Sequence, residues 1–245
     1  MKDLPLVLLH AFPVDARMWD AVRAPLSERL RLITPDQRGL GRSPLPETDR
    51  EPDLDDAARD VVALLDRLGL DKVVLGGCSM GGYLTMAVLR LAPERVGGLV
   101  FIDTKATADT PEAAQARHDV AARVEAEGTA WMPEAVTPGL LAEKARPEVA
   151  ERLRELITTQ PPSGVAWAAR AMAARPDSLE TLRSADVPAL VVVGEEDGLT
   201  PLAEANTLVE TLPDATLVVL PEAGHLTPLE DPAGVVEAIL GWYPA

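Results

Sequence analysis

The sequence predicts an α/β protein built on a doubly wound, mainly parallel sheet with an inserted helical cap, and three observations predict it. Short apolar runs of strand length alternate with segments whose apolar residues recur at helical spacing. That rhythm stops across residues 111–176, where no strand-like run occurs, and resumes afterwards. One apolar run passes straight into a glycine-rich turn and then a helix, at Gly77-Cys78-Ser79-Met80-Gly81.

The elements follow in order. Leu6–His10 reads as a buried strand ending in turn residues, Ala16–Leu30 as a helix, and Arg31–Thr34 as a second strand stopped by Pro35-Asp36. Asp53–Leu68 carries apolar residues at Leu54, Ala58, Val61, Leu65 and Leu68. Asp53 is placed to cap this helix and Gly69 to end it. Lys72–Gly76 is a third strand, followed by a helix from Met80 to Ala92 that Pro93 stops. Gly98–Asp103 is a fourth strand. After the interruption come Ala189–Val193, a helix over Leu202–Thr211, the strand Thr216–Leu220 and a last helix over Ala233–Leu240. Strands joined by crossover helices lie parallel, because a parallel pair needs a long connection. Residues 111–176 read as about four helices rich in Ala and Glu, punctuated by Pro133, Pro147, Pro161 and Pro162. The organisation expected is therefore a core of residues 1–110 and 177–245 carrying a cap of residues 111–176.

Composition narrows the function. The 245 residues include 39 acidic and 23 basic side chains, a formal net charge of −16. Phosphate neutralisation needs a basic face, so nucleic acid is not an expected partner. No run of 18 apolar residues occurs, so no membrane-spanning helix is expected, and the N-terminal residues lack a secretory pattern. Cys78 is the single cysteine, which excludes an internal disulfide and a cysteine-based metal cage. Cytoplasmic localisation is the expectation that follows. Gly39-Leu40-Gly41 lacks the third glycine of a dinucleotide fingerprint, and no phosphate-binding GK[ST] turn is present. No cofactor and no metal are expected.

The strongest chemical signal is the Gly77–Gly81 turn. A serine held between strand and helix in so tight a turn exposes its hydroxyl at the carboxyl edge of the sheet, and small residues are required on both sides. Ser79 is thereby the candidate nucleophile. It needs a base, and the chain has three histidines, His10, His118 and His225. His225 follows the last strand on the same sheet edge and is the candidate. His118 falls in a cap helix with polar neighbours, and His10 ends the first strand, where a loop brace is expected of it. An orienting carboxylate should lie between serine and histidine in sequence. Asp197, after the fifth strand, fits best; Asp103, Glu195 and Glu196 are rivals. Arg38 and Arg42 read as loop braces before they read as binders of a substrate carboxylate. Trp19 is expected in the core. Trp131 and Trp167 are candidate walls of a substrate pocket under the cap.

These positions, with His10-Ala11-Phe12-Pro13 and Asp36-Gln37-Arg38-Gly39, resemble the α/β-hydrolase superfamily over nearly the whole chain, and within it the compact 3-oxoadipate enol-lactonase, carboxylesterase and perhydrolase group. Two departures stand out: Ala11 occupies the usual glycine position of the HG pair, and the chain begins at what would be the family's third strand, so the leading hairpin is expected to be absent. The resemblance implies an oxyanion hole formed by the backbone N–H groups of Phe12 and Met80. It also implies hydrolysis of a small carboxylic ester or lactone through an acyl-enzyme, its partner being that small molecule. The same triad serves C–C bond hydrolases and thioesterases, and the fold also occurs in ligand-binding proteins without turnover.

Overall fold

The structure is a computed structural model and describes residues 4–243. Six parallel strands form one sheet in the order β2-β1-β3-β4-β5-β6. In chain order they and the first helices are β1 (Leu6–Leu9), α1 (Asp20–Ser27), β2 (Leu32–Ile33), α2 (Leu54–Arg67), β3 (Val73–Cys78), α3 (Met80–Leu91) and β4 (Val96–Ile102). The stretch before the next strand holds α4 (Pro111–Glu127), α5 (Met132–Leu140), α6 (Pro147–Thr158), α7 (Pro162–Ala173) and α8 (Leu179–Arg183). The chain closes with β5 (Ala189–Gly194), α9 (Leu202–Thr211), β6 (Ala215–Leu220), α10 (Thr227–Glu230) and α11 (Pro232–Trp242).

The central strands are buried along their full length: every residue of β1, β3 and β5 is shielded from solvent. They read as continuous apolar runs because both sheet faces are covered. Helices α1 and α11 pack together on one face, while α2, α3, α8 and α9 follow one another across the other. Strand order reverses between β1 and β3, which makes their carboxyl ends the switch point of the sheet, the usual binding place in such folds. Helix α2 buries Leu54, Ala58, Val61 and Leu65 as its periodicity requires, and Asp53 caps it by accepting from the Asp55 N–H.

Four elements differ from the sequence reading. The helix expected over Ala16–Leu30 divides into a 3-10 turn at Ala16–Trp19, which Asp15 caps, and the eight-residue α1. The second strand shortens to two residues at the sheet edge, where Pro35 ends its pairing. The third strand runs on through Cys78, and the fourth starts at Val96 rather than Gly98. Trp19 is fully buried in the core, as expected.

Helices α4–α7 form two packed pairs, α4 with α7 and α5 with α6. Prolines open α4, α6 and α7, where a missing N–H costs nothing. The pairs sit on the loops at the carboxyl edge of the sheet. Gln160 accepts from the Gly41 N–H (2.9 Å) and donates to Asp15 (2.7 Å), and Arg152 reaches Asp20 (2.8 Å). No helix among the described residues is long and apolar enough to cross a membrane.

Candidate active site

The site begins with a strained residue. Between β3 and α3, Ser79 adopts φ 52°, ψ −112°, a backbone region that costs a non-glycine residue of order 1–3 kcal/mol. Its surroundings hold it there. The Ser79 N–H donates to the Ile102 carbonyl (2.9 Å), and the Ser79 carbonyl accepts from Gly82 N–H (2.9 Å) and the Thr104 hydroxyl (2.8 Å). A Cβ on Gly77 would collide with the backbone of Gly81, and one on Gly81 with the Leu9 carbonyl. Glycine at both places thus lets the turn close and press against the end of β1.

Ser79 Oγ lies 2.8 Å from His225 Nε2, and His225 Nδ1 lies 2.9 and 3.0 Å from the two oxygens of Asp197. Asp197 follows β5 and His225 follows β6, so three separate strand ends converge on one hydrogen-bonded chain. All three residues are buried, with Ser79 7%, Asp197 4% and His225 1% exposed. Burial pushes the Asp197 carboxyl up, but the His225 hydrogen bond and charge, together with Thr200, outweigh it and hold the group below its ordinary range. Thr200 contributes its N–H (2.8 Å) and its hydroxyl (2.8 Å), and Leu199 a further N–H (2.9 Å). Such a chain is able to remove the serine proton during attack and to stabilise the imidazolium that results.

The rival residues are placed elsewhere. Glu195 and Glu196 are exposed on the turn. Asp103 is fully buried beside the site but bonds to Thr227 and to the Gly194 N–H rather than to His225. His118 is exposed on α4. His10 accepts the Gln37 N–H at Nε2 (2.9 Å) and sits 2.9 Å from the Ala11 carbonyl at Nδ1, which assigns the proton to Nδ1. Burial lowers its pKa and keeps it a neutral brace of the loop. Arg38 is bound in a fork to Asp60 of α2 (2.7 and 2.9 Å), and Arg42 is 96% exposed beside Asp36.

Met80 opens α3 directly after Ser79, so its N–H has no acceptor within the helix. Phe12 comes three residues after the end of β1, the strand that Gly81 presses against. Its ring packs on Ala121, Ala166 and Ala169 of α4 and α7. Trp167 lies beside the Arg38 guanidinium (5.5 Å) and Trp131 beneath that of Arg123 (3.9 Å); both indole N–H groups are buried without a protein acceptor. A cavity of about 830 Å³ opens between α5, α6 and the Asp197 loop, lined by Glu196 and Gly198 on the core side rather than by Ser79.

Sequence reasoning missed Thr200, Thr227 and Glu230. None of the three had a local pattern of its own; the Asx-turn of Asp197 predicts an N–H bond from Leu199 and not the identity of Thr200.

A parallel sheet wound on both faces, with a serine on a strand-to-helix turn and an imidazole and a carboxylate after later strands, defines a class before any comparison is made. The chain belongs to the alpha/beta hydrolase fold family, whose profile matches residues 5–232. It is 33% identical over 97% of its length to a dihydrolipoyllysine-residue acetyltransferase component of an acetoin cleaving system from Pseudomonas putida, of which it spans 63%. It is 28% identical over 96% of its length to 3-oxoadipate enol-lactonase 2 of Acinetobacter baylyi, covering 88% of that protein. Among solved structures, a thermophilic esterase from Thermogutta terrifontis superposes with a TM-score of 0.94 at 42% identity, covering 98% of this chain and 89% of the esterase. An enol-lactonase from Burkholderia xenovorans gives 0.87 at 25% identity, with 97% and 90% covered.

Proposed function

We propose that the protein hydrolyses small carboxylic esters or lactones through an acyl-enzyme. The observation that carries this is the continuous Ser79–His225–Asp197 hydrogen-bonded chain, with its serine on a turn that leaves the Met80 N–H free of helix bonding.

Ser79 Oγ attacks the carbonyl carbon as His225 Nε2 takes the hydroxyl proton, and the carbonyl π pair moves onto oxygen. The N–H groups of Phe12 and Met80 receive that oxyanion, fixed in place before the charge develops. Collapse breaks the bond to the leaving oxygen, which takes the proton from His225. Water then repeats the sequence on the acyl-enzyme, His225 accepting its proton and returning it to Ser79 as the acid departs. Asp197 keeps Nδ1 protonated throughout, so that Nε2 is the basic nitrogen.

Relatives named as esterase and enol-lactonase support the ester and lactone reading. The small side chains of Ala121, Ala166 and Ala169 against Phe12 favour a modest aliphatic acyl group. Trp131 and Trp167 are proposed as outer walls of the acyl pocket, each widening the range of accepted chains when replaced by alanine.

The test is hydrolysis of p-nitrophenyl acetate, butyrate, octanoate and palmitate by the native protein and Ser79→Ala. Turnover of the short esters with a loss of about 10⁴ or more in the variant supports the reading. Equal inertness of both proteins defeats it. In that case turnover of a thioester or a vinylogous diketone points to those chemistries, and saturable binding without turnover to a ligand-binding protein.

A further inference from the structure

Every residue of the segment Gly224–Thr227 has a carboxylate partner. Gly224 N–H and Leu226 N–H both donate to Glu230 Oε1 (3.0 and 3.3 Å), His225 bonds to Asp197, and Thr227 N–H donates to Asp103 (2.9 Å). Glu230 differs from the other two acids because its second oxygen leaves the core. Oε2 accepts the N–H of Ala142 (2.8 Å), in the connection between α5 and α6. Contact at this point is close: a Cβ on Gly224 would collide with the Ala142 nitrogen.

We propose that Glu230 is a positioning residue that couples the cap to the base, one carboxylate setting the placement of the His225 segment and of the α5–α6 connection together. This rests on reading His225 as the base. The geometry singles out a carboxylate. Three N–H donors from two parts of the chain approach two oxygens, so both ends of the side chain must accept. An amide cannot do this, since its NH₂ would face either the Gly224 and Leu226 N–H groups or that of Ala142. Among the described residues Arg146 reaches the Glu230 backbone carbonyl (3.4 Å) and no ion pair meets the carboxylate; burial pushes its carboxyl up, and the Ala142, Gly224 and Leu226 N–H groups oppose that shift. The connection also needs such a tie. The cavity of about 830 Å³ lies between α5, α6 and the Asp197 loop, with Leu141 and Ala142 in its wall, so the brace spans the margin of an open gap.

Two substitutions separate the halves of the brace. Glu230→Gln keeps the length and loses one set of acceptors. Ala142→Pro replaces the cap's N–H with a ring carbon that Glu230 Oε2 must move away from, breaking the tie from the cap side. Leu141 is already extended (φ −123°, ψ 154°), the conformation a residue before proline adopts. The measurements are kcat and KM for p-nitrophenyl butyrate and the rate at which a p-nitrophenyl phosphonate labels Ser79, with far-UV circular dichroism and Tm confirming a folded chain.

We expect kcat and the labelling rate to fall at least about ten-fold in both variants while KM changes less than about three-fold, because the imidazole is displaced and the acyl site is not. Native kcat in Glu230→Gln overturns the proposal. Native kcat in Ala142→Pro overturns the coupling, leaving Glu230 as a local support of the His225 segment. Should Ala142→Pro fail to fold, Glu230→Gln decides: a loss carried by KM overturns the proposal, and hydrogen exchange at the Ala142 amide as slow as in the native chain overturns the coupling. A native protein that neither turns over esters nor takes the label refutes the underlying reading instead, which keeps the two failures distinct.

Discussion

Thr227 gives both of its donors to Asp103: its backbone N–H (2.9 Å) and its hydroxyl (2.7 Å) meet the same oxygen, Oδ2. The other oxygen accepts the Gly194 N–H (3.1 Å), so the end of β4 is tied to the end of β5 and to the segment that carries His225. Asp103 therefore supports the site from behind. Burial, then the charge of Asp197, pushes its carboxyl well above the ordinary range, and the Thr227 and Gly194 donors oppose that shift.

Thr227→Val should then destabilise the fold more than it harms chemistry. Losing one buried hydrogen bond costs about 1–2 kcal/mol, or roughly 2–8 °C of Tm in a chain of this size. Thermal melts measure the first effect, and kcat should fall by less than about ten-fold because Asp197 still holds the imidazole. A native Tm would show that the hydroxyl contributes nothing.

Asp197→Asn should reduce kcat by roughly 10⁴. An amide in that place can present NH₂ to Nδ1, which favours the tautomer with the proton on the wrong nitrogen. Thr200→Val is the milder perturbation. It removes the hydroxyl that donates to Asp197 (2.8 Å) and lies 3.2 Å from Nδ1. A hydrogen bond to a charged group is worth about 1.5–3 kcal/mol, so a loss of about ten-fold or more in kcat/KM is expected. Steady-state kinetics on one short ester tests both variants, and a Thr200→Val enzyme as fast as the native one would remove Thr200 from the site.

What the sequence made legible is local. Ser79 was visible because strand, turn and helix are contiguous, and Asp197 and His225 because each follows an apolar run by a few residues. The supports were not visible for a physical reason. Thr227 meets Asp103 across 124 positions and Glu230 meets Ala142 across 88, so neither pair leaves a spacing or a period to read. The six strands were legible from apolar runs, whereas the two-residue length of β2 was not, because pairing at the sheet edge stops at Ile33, short of the strand expected over Arg31–Thr34. In the cap, prolines marked the helix starts. Which helix packs on which depends on Ala-rich faces that carry little periodic signal.

Stability should fall in acid in a way that two aspartates explain. Asp15 is pushed up by burial, but hydrogen bonds from Arg17 and Gln160 overcome this and bring its carboxyl down to about 2. Asp109 lies below its ordinary range for the same reason, with Arg175 (2.8 Å) and Arg117 outweighing burial. A folded-state value below the unfolded one means that the stabilisation is present above about pH 4 and is lost as pH falls through the folded value. Melts between pH 5 and 2 should show a steep drop in Tm, and Asp15→Asn should start lower and flatten the slope. A variant that keeps the native slope would place the acid sensitivity elsewhere.

Cys78 precedes Ser79 and would be a second nucleophile if its thiol could ionise. Burial pushes that thiol well above its usual value, and the nearby charges of Asp103 and Asp197 push the same way. The sulfur is fully buried, 3.9 Å from Asp103 and 4.0 Å from the His225 carbonyl, so a reagent has no path to it and a thiolate there would face two carboxylates. Iodoacetamide at pH 8 should therefore alkylate the native chain at least about a thousand-fold more slowly than the urea-unfolded chain, with labelling limited by opening of the fold. Cys78→Ala should retain ester hydrolysis within a few-fold while losing some Tm to the small cavity left behind. Rapid alkylation of the folded protein, or loss of activity in Cys78→Ala at an unchanged Tm, would transfer the nucleophile's role to sulfur and leave the serine chain described above as a support for it.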